Sequence, residues 1–131
     1  MGLGQAVIVA GIGCRKGVTA EVIIAALDEA SKAHGVKIDF IATAPIKAGQ
    51  PGLMEAATTL GMAFVVVAQA DFEQAGARTI TQSATSLKHS GSPSLSEASA
   101  LAALGPRSRL IAPRMVIGDM TVALATLGDD E

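Results

Sequence analysis

Ala6-Val-Ile-Val-Ala-Gly-Ile-Gly-Cys-Arg-Lys-Gly-Val-Thr-Ala-Glu21 decides how this chain reads. Its first five residues form a short continuous apolar run rich in β-branched residues, the pattern of a strand covered on both faces. Gly11, Gly13 and Gly17 then punctuate a basic turn. Thr19 stands where a helix N-cap belongs, with Glu21 in the first turn, where the helix dipole favours an anion. Ile23, Ile24, Leu27 and Ala30 continue at helical spacing, and Gly35 supplies a C-terminal stop. Strand, glycine-rich turn and helix make the first half of a βαβ unit.

The alternation recurs outward from this stretch. Ile38 to Thr43 reads as the second strand, followed by the turn-rich segment Lys47 to Gly52. Leu53, Ala56, Ala57 and Leu60 predict a short helix that stops at Gly61, and Phe64 to Val67 a third buried strand. Residues 70–92, polar and rich in Ser and Thr, read as loop with short irregular elements. Ser94-Leu-Ser-Glu97 has the form of a capping box opening an alanine-rich helix through Leu104, closed by Gly105-Pro106. Arg109 to Ala112 and Thr121 to Thr126 read as strands joined by a turn near Gly118-Asp119. The expected fold is α/β, a three-layer sandwich whose mostly parallel sheet is covered by helices and closed by an antiparallel hairpin. One domain is expected over residues 1–131, its core at about 6–126.

Composition narrows the function classes. Half of the 131 residues are apolar and 17% are charged, which suits one packed core rather than a disordered chain. A net charge of −2, with no basic run and no aromatic platform, argues against nucleic acid as a partner. The apolar stretch from Ala6 to Ile12 is too short for a signal segment or a membrane span, so no membrane is expected either. One cysteine excludes an internal disulfide and fits a reducing compartment; the cytoplasm is the expected location. One Cys, two distant His and no paired carboxylates at ligand spacing offer no metal set, and no cofactor is expected.

The chemistry concentrates in the first glycine-rich loop. Glycines let another group approach the backbone, and the N–H groups of the following helix start favour an anion. Arg15 and Lys16 add positive charge, so the loop reads either as an anion cradle or as a tight turn with solvated charges. The spacing Gly-x-Gly-x-x-x-Gly is one residue longer than the dinucleotide fingerprint, and the acid expected at the end of the second strand is missing. A P-loop would need Gly-Lys-Ser/Thr, but Lys16 precedes Gly17. Cys14, beside Arg15 and near a helix start, reads as a nucleophile or as a small side chain in a crowded turn. His34 sits at the far end of the first helix as a dipole partner. His89, ahead of the capping box, is the remaining candidate base. Lys47, after the second strand, lies at the sheet's carboxyl edge, where ligands bind in such folds.

Four stretches carry a resemblance: Gly11-Ile-Gly-Cys-Arg-Lys-Gly17 with Val-Thr-Ala-Glu21, Ala42-Thr-Ala-Pro-Ile-Lys47 leading to Pro51-Gly-Leu53, Gly91-Ser-Pro-Ser-Leu-Ser-Glu-Ala98, and Thr121-Val-Ala-Leu-Ala125. In this order they resemble the CobE/CbiG C-terminal family of cobalamin biosynthesis over roughly residues 6 to 126. The chain departs from the family pattern at Gly49-Gln50, where acidic residues are usual. It departs again at Pro113-Arg-Met-Val116, where Arg114 is what remains of a basic cluster. The longer family members are similar to hydrolases that open a lactone on a cobalt-precorrin and release acetaldehyde. This chain looks like the stand-alone CobE type of the aerobic pathway. The resemblance implies a precorrin or corrinoid intermediate as ligand and other pathway enzymes as partners. Gly11, Gly13, Arg15, Lys16, Gly17, Lys47, His89 and Arg114 are then the expected substrate-binding residues, with Cys14 the candidate catalytic group. Two other roles stay open: a precorrin hydrolase using the loop as an oxyanion site, and a non-catalytic partner of another enzyme.

Overall fold

The structure, a computed structural model, describes residues 7–14, 17–47, 49–82, 87–88, 94–118 and 120–127. The first strand, β1 (Ile8–Cys14), runs straight through the glycines expected to form the turn. Helix α1 (Ala20–His34) begins as its sequence predicts: Thr19 is the N-cap, its Oγ1 accepting from the Val22 N–H at 3.3 Å. Gly35 ends it in the left-handed conformation at φ 64°, a position that favours glycine. Strand β2 (Phe40–Thr43) leads through a 3-10 turn, Pro45–Lys47, into α2 (Pro51–Leu60), which Gly61 terminates. Strand β3 (Ala63–Val66) follows, then α3 (Gln69–Ala75) with a 3-10 turn at Gly76–Arg78. Helix α4 (Leu95–Leu104) precedes β4 (Arg109–Leu110), β5 (Met115–Ile117) and β6 (Met120–Thr126).

The sheet order is β3-β2-β1-β6-β4, with β5 also on β6. β1, β2 and β3 pair in parallel, while β6 runs antiparallel to β1, β4 and β5. Among the described strands β6 alone therefore opposes the common direction, and the sheet is mostly parallel with an antiparallel close. Alternation along β1 sorts the two layers. Ile8, Ala10, Ile12 and Cys14 join the core beneath α1 and α2, with Ile23, Leu27, Ile41 and Leu53. Val9 joins the other core beneath α3 and α4, with Phe72, Ala98, Leu101 and Ala125. Each large aliphatic side chain so buried contributes roughly 1.5–3 kcal/mol. The strand entrance is pinned by Asp39, whose Oδ2 accepts from the Ile8 N–H at 2.8 Å while its own N–H donates to the Ile8 carbonyl at 2.8 Å.

Five expectations are revised. Gly11 and Gly13 are strand residues because α4 lies directly over them: a Cβ on Gly11 would stand 2.0 Å from the Ser96 carbonyl oxygen and 2.7 Å from the Ala100 nitrogen. β3 is an edge strand, half-exposed rather than buried, since β2 is its neighbour in the sheet order. The segment read as irregular contains α3, whose single large apolar residue, Phe72, is fully buried. The closing hairpin joins β5 to β6 across Gly118, and β4 pairs with the far end of β6. The Ser94–Glu97 capping box does not form, since the Ser94 side chain makes no capping hydrogen bond to the helix. Ser94 is the extended N-cap, but Glu97 turns away and accepts hydrogen bonds from other segments.

Candidate functional site

Parallel pairing of Gly11 with Ala42 brings the ends of β1 and β2 level, so Cys14 and the Pro45–Lys47 turn meet at the carboxyl edge. The β5–β6 hairpin closes the other side, because β6 pairs along β1 with Gly13 opposite Thr121 and Cys14 opposite Met120. Gly13, Cys14, Lys47, Leu95, Val116, Gly118, Met120 and Thr121 together line a concave surface of about 310 Å³. Sheet geometry thus gathers three of the expected residues, Gly13, Cys14 and Lys47, in one place. The hairpin wall of Val116, Gly118 and Thr121 was missed. Its signal was the apolar Met115-Val-Ile117 run before Gly118-Asp119, a hairpin pattern.

The walls are apolar and the charge is sparse. Val116 is 69% exposed, and Ile46, next to Lys47 in the chain, is 54% exposed. Lys47 is half-buried with no ion pair among the described residues, and Arg114, also half-buried, opens the segment leading into β5. Cys14 is 6% exposed. Burial pushes its thiol pKa up, and the nearby Lys47 charge pulls in the opposite direction with smaller effect. The thiol is therefore held protonated at neutral pH, the unreactive form.

The remaining expected residues fall elsewhere. Gly11 is walled off by α4 and has no free face toward a ligand. Gly17 does take a positive φ, 86°, but its N–H donates to Gln50 Oε1 at 2.9 Å. With Thr19 accepting from Val22, two donors expected to cradle an anion are engaged within the protein. Arg15, Lys16 and His89 lie outside the described residues. A larger cavity, about 550 Å³, runs along α1 toward Ile38 and Met62 at the amino ends of the strands. It holds none of the expected residues, and ligands of open α/β sheets bind at the opposite edge.

The family model for the cobalamin synthesis G C-terminus matches residues 8–125, which includes every element of the sheet from β1 into β6. This chain belongs to that cobalamin biosynthesis family. Among solved structures it is similar to the cobalamin biosynthesis protein chiG from Agrobacterium tumefaciens, at 55% identity and a TM-score of 0.78, covering 94% of this chain and 100% of that one. It is also similar to CobE, a protein from the cobalamin (vitamin B12) biosynthetic pathway, at 31% identity and a TM-score of 0.90, covering 98% and 95%. A cobalamin biosynthesis protein G homologue from Sulfolobus solfataricus shares the fold, with a TM-score of 0.66 at 22% identity; the match covers 97% of this family member but 38% of that chain. No curated protein matches the sequence. Among the described residues, no helix is long and apolar enough to cross a membrane.

Proposed function

We propose that this protein binds a precorrin-type tetrapyrrole of the cobalamin pathway at the carboxyl edge of its sheet. The observation that carries the reading is Lys47: a half-buried cation without an ion-pair partner among the described residues, set in an apolar-walled concavity with Gly13 and Cys14. A tetrapyrrole intermediate presents an extended apolar macrocycle ringed by acetate and propionate groups. An ammonium answers such a carboxylate with a charge-assisted hydrogen bond, and exposed Val116 and Ile46 offer apolar contact to the ring. At about 310 Å³ the concavity is at the small end of ligand sites and suits one edge of the macrocycle, not the whole. Arg15 and Lys16, the next residues after Cys14, and Arg114 are the further carboxylate ligands of this reading.

Binding is favoured over catalysis. A buried, protonated thiol is a poor nucleophile, and Cys14 is the nucleophile the hydrolase reading would use. The protein then carries or shelters an unstable intermediate between pathway enzymes in the cytoplasm. Titrating cobyrinic acid, a stable corrin carrying acetate and propionate arms, tests the reading through its visible bands. Tyr and Trp are both absent, so the protein adds little near-ultraviolet absorbance of its own and the corrin bands there can be followed as well. At roughly 50 µM protein a micromolar ligand would be almost wholly bound. A spectral shift with retention on gel filtration supports the reading; neither a shift nor retention refutes it.

A further inference from the structure

Glu97 is fully buried in α4, yet no lysine or arginine side chain pairs with it among the described residues. A buried carboxylate is costly unless donors surround it. Here the donors are backbone amides and a hydroxyl from two segments far apart in sequence. Oε1 accepts from the N–H of Ile80 at 2.7 Å and of Thr81 at 2.8 Å. Oε2 accepts from the Thr81 hydroxyl at 2.6 Å and from the Arg114 N–H at 2.8 Å. One oxygen is thus shared between the segments, so a shift of either disturbs the acceptor that holds the other.

Glu97 joins both segments to α4, and α4 reaches the candidate site: Leu95, two residues before Glu97, lines the cavity. Arg114 begins the segment that becomes β5, whose Val116 forms the opposite wall. We infer that Glu97 is a positioning residue that couples these two segments and so fixes the distance between the walls of the site. Its functional consequence rests on the tetrapyrrole-binding reading, whereas the coupling itself does not.

Thr81→Val is the discriminating variant, because it removes one donor to Oε2 with little change of shape and leaves the carboxylate in place. Amide hydrogen exchange of the wild type, Thr81→Val and Glu97→Gln would be followed at Ile80, Thr81 and Arg114, with the α1 amides as reference. Coupling predicts that Thr81→Val speeds exchange at Arg114, on the other segment, by about tenfold while α1 stays unchanged. Cobyrinic acid binding should weaken by at least about threefold in the same variant, and further in Glu97→Gln. Faster exchange confined to residues 80 and 81, or raised equally throughout α1, would overturn the coupling. Faster exchange at Arg114 with unchanged affinity would overturn the positioning role. A wild type that binds no cobyrinic acid would instead remove the binding reading, leaving the exchange result to decide the coupling alone.

Discussion

Gly11 and Ser96 are in direct backbone contact: a Cβ added to Gly11 would stand 2.0 Å from the Ser96 carbonyl oxygen. This contact sets the spacing between β1 and α4, and α4 is small-sided where it crosses, with Ser96 and Ala100 facing the strand. Gly11→Ala must therefore push the helix away. We predict a loss of about 3 kcal/mol, at the upper end of overpacking costs, because the obstacle is backbone. Gly13→Ala meets the Thr121 hydroxyl at 2.7 Å, a side chain that can rotate, and should lose about 1 kcal/mol. Urea midpoints of the two variants check the difference, and equal midpoints would refute it.

Lys47 has no ion pair among the described residues to lose, so Lys47→Met should change stability by less than about 0.5 kcal/mol. Its effect belongs to the ligand. Removing a charge-assisted hydrogen bond from a partly buried site is expected to weaken cobyrinic acid binding by about tenfold or more. Wild-type affinity should also fall with added salt, and more steeply than that of Lys47→Met. Titrations at two ionic strengths measure both. An unchanged affinity in Lys47→Met would place the ligand elsewhere.

At the opposite end of β1, Asp39 satisfies the Ile8 N–H, which would otherwise begin the strand unpaired. Asp39→Ala should cost about 1–2 kcal/mol, and Asp39→Asn less, because the amide oxygen still accepts. Thermal unfolding ranks the two. Corrin affinity should be untouched, since Asp39 sits at the amino edge, the length of the strand away from Cys14.

The legible parts of this fold were those whose signals are local. Thr19 and Gly35 bracket α1 because capping and a left-handed stop depend on neighbouring residues alone. Lys47 and Cys14 could be assigned to one edge because parallel strands end together. The illegible parts depend on what arrives from far along the chain. Gly11 and Gly13 look like a turn until α4 is known to lie over them. Gln69–Ala75 is too short to show a period, and its helix is anchored by Phe72 packing in the α4 layer. Glu97 satisfied a capping pattern by spacing, yet its partners are sixteen and seventeen residues away on either side. Tertiary donors there outweigh the local cap.

Cys14 gives a prediction in pH. Burial outweighs the pull of Lys47, so the folded protein holds the thiol proton more tightly than the unfolded chain does. The resulting stability is fully present below the unfolded thiol pKa, about 8.5, and is lost as pH rises through the higher folded value. The urea midpoint should therefore show no pH dependence from Cys14 between about pH 6 and 8, and should decline with a Cys14-dependent component above about pH 9. Cys14→Ala removes that component, so its decline at alkaline pH should be shallower than the wild type's. Lys47→Met acts in the other direction, since without the ammonium the folded thiol pKa rises further and the decline, starting at the same pH, continues further and becomes larger. Alkylation by iodoacetamide reads the same group directly: slow at pH 7.5 in the native protein, and faster only on unfolding or at strongly alkaline pH. Rapid native-state alkylation at pH 7.5 would mean an exposed thiolate and would restore Cys14 as a nucleophile.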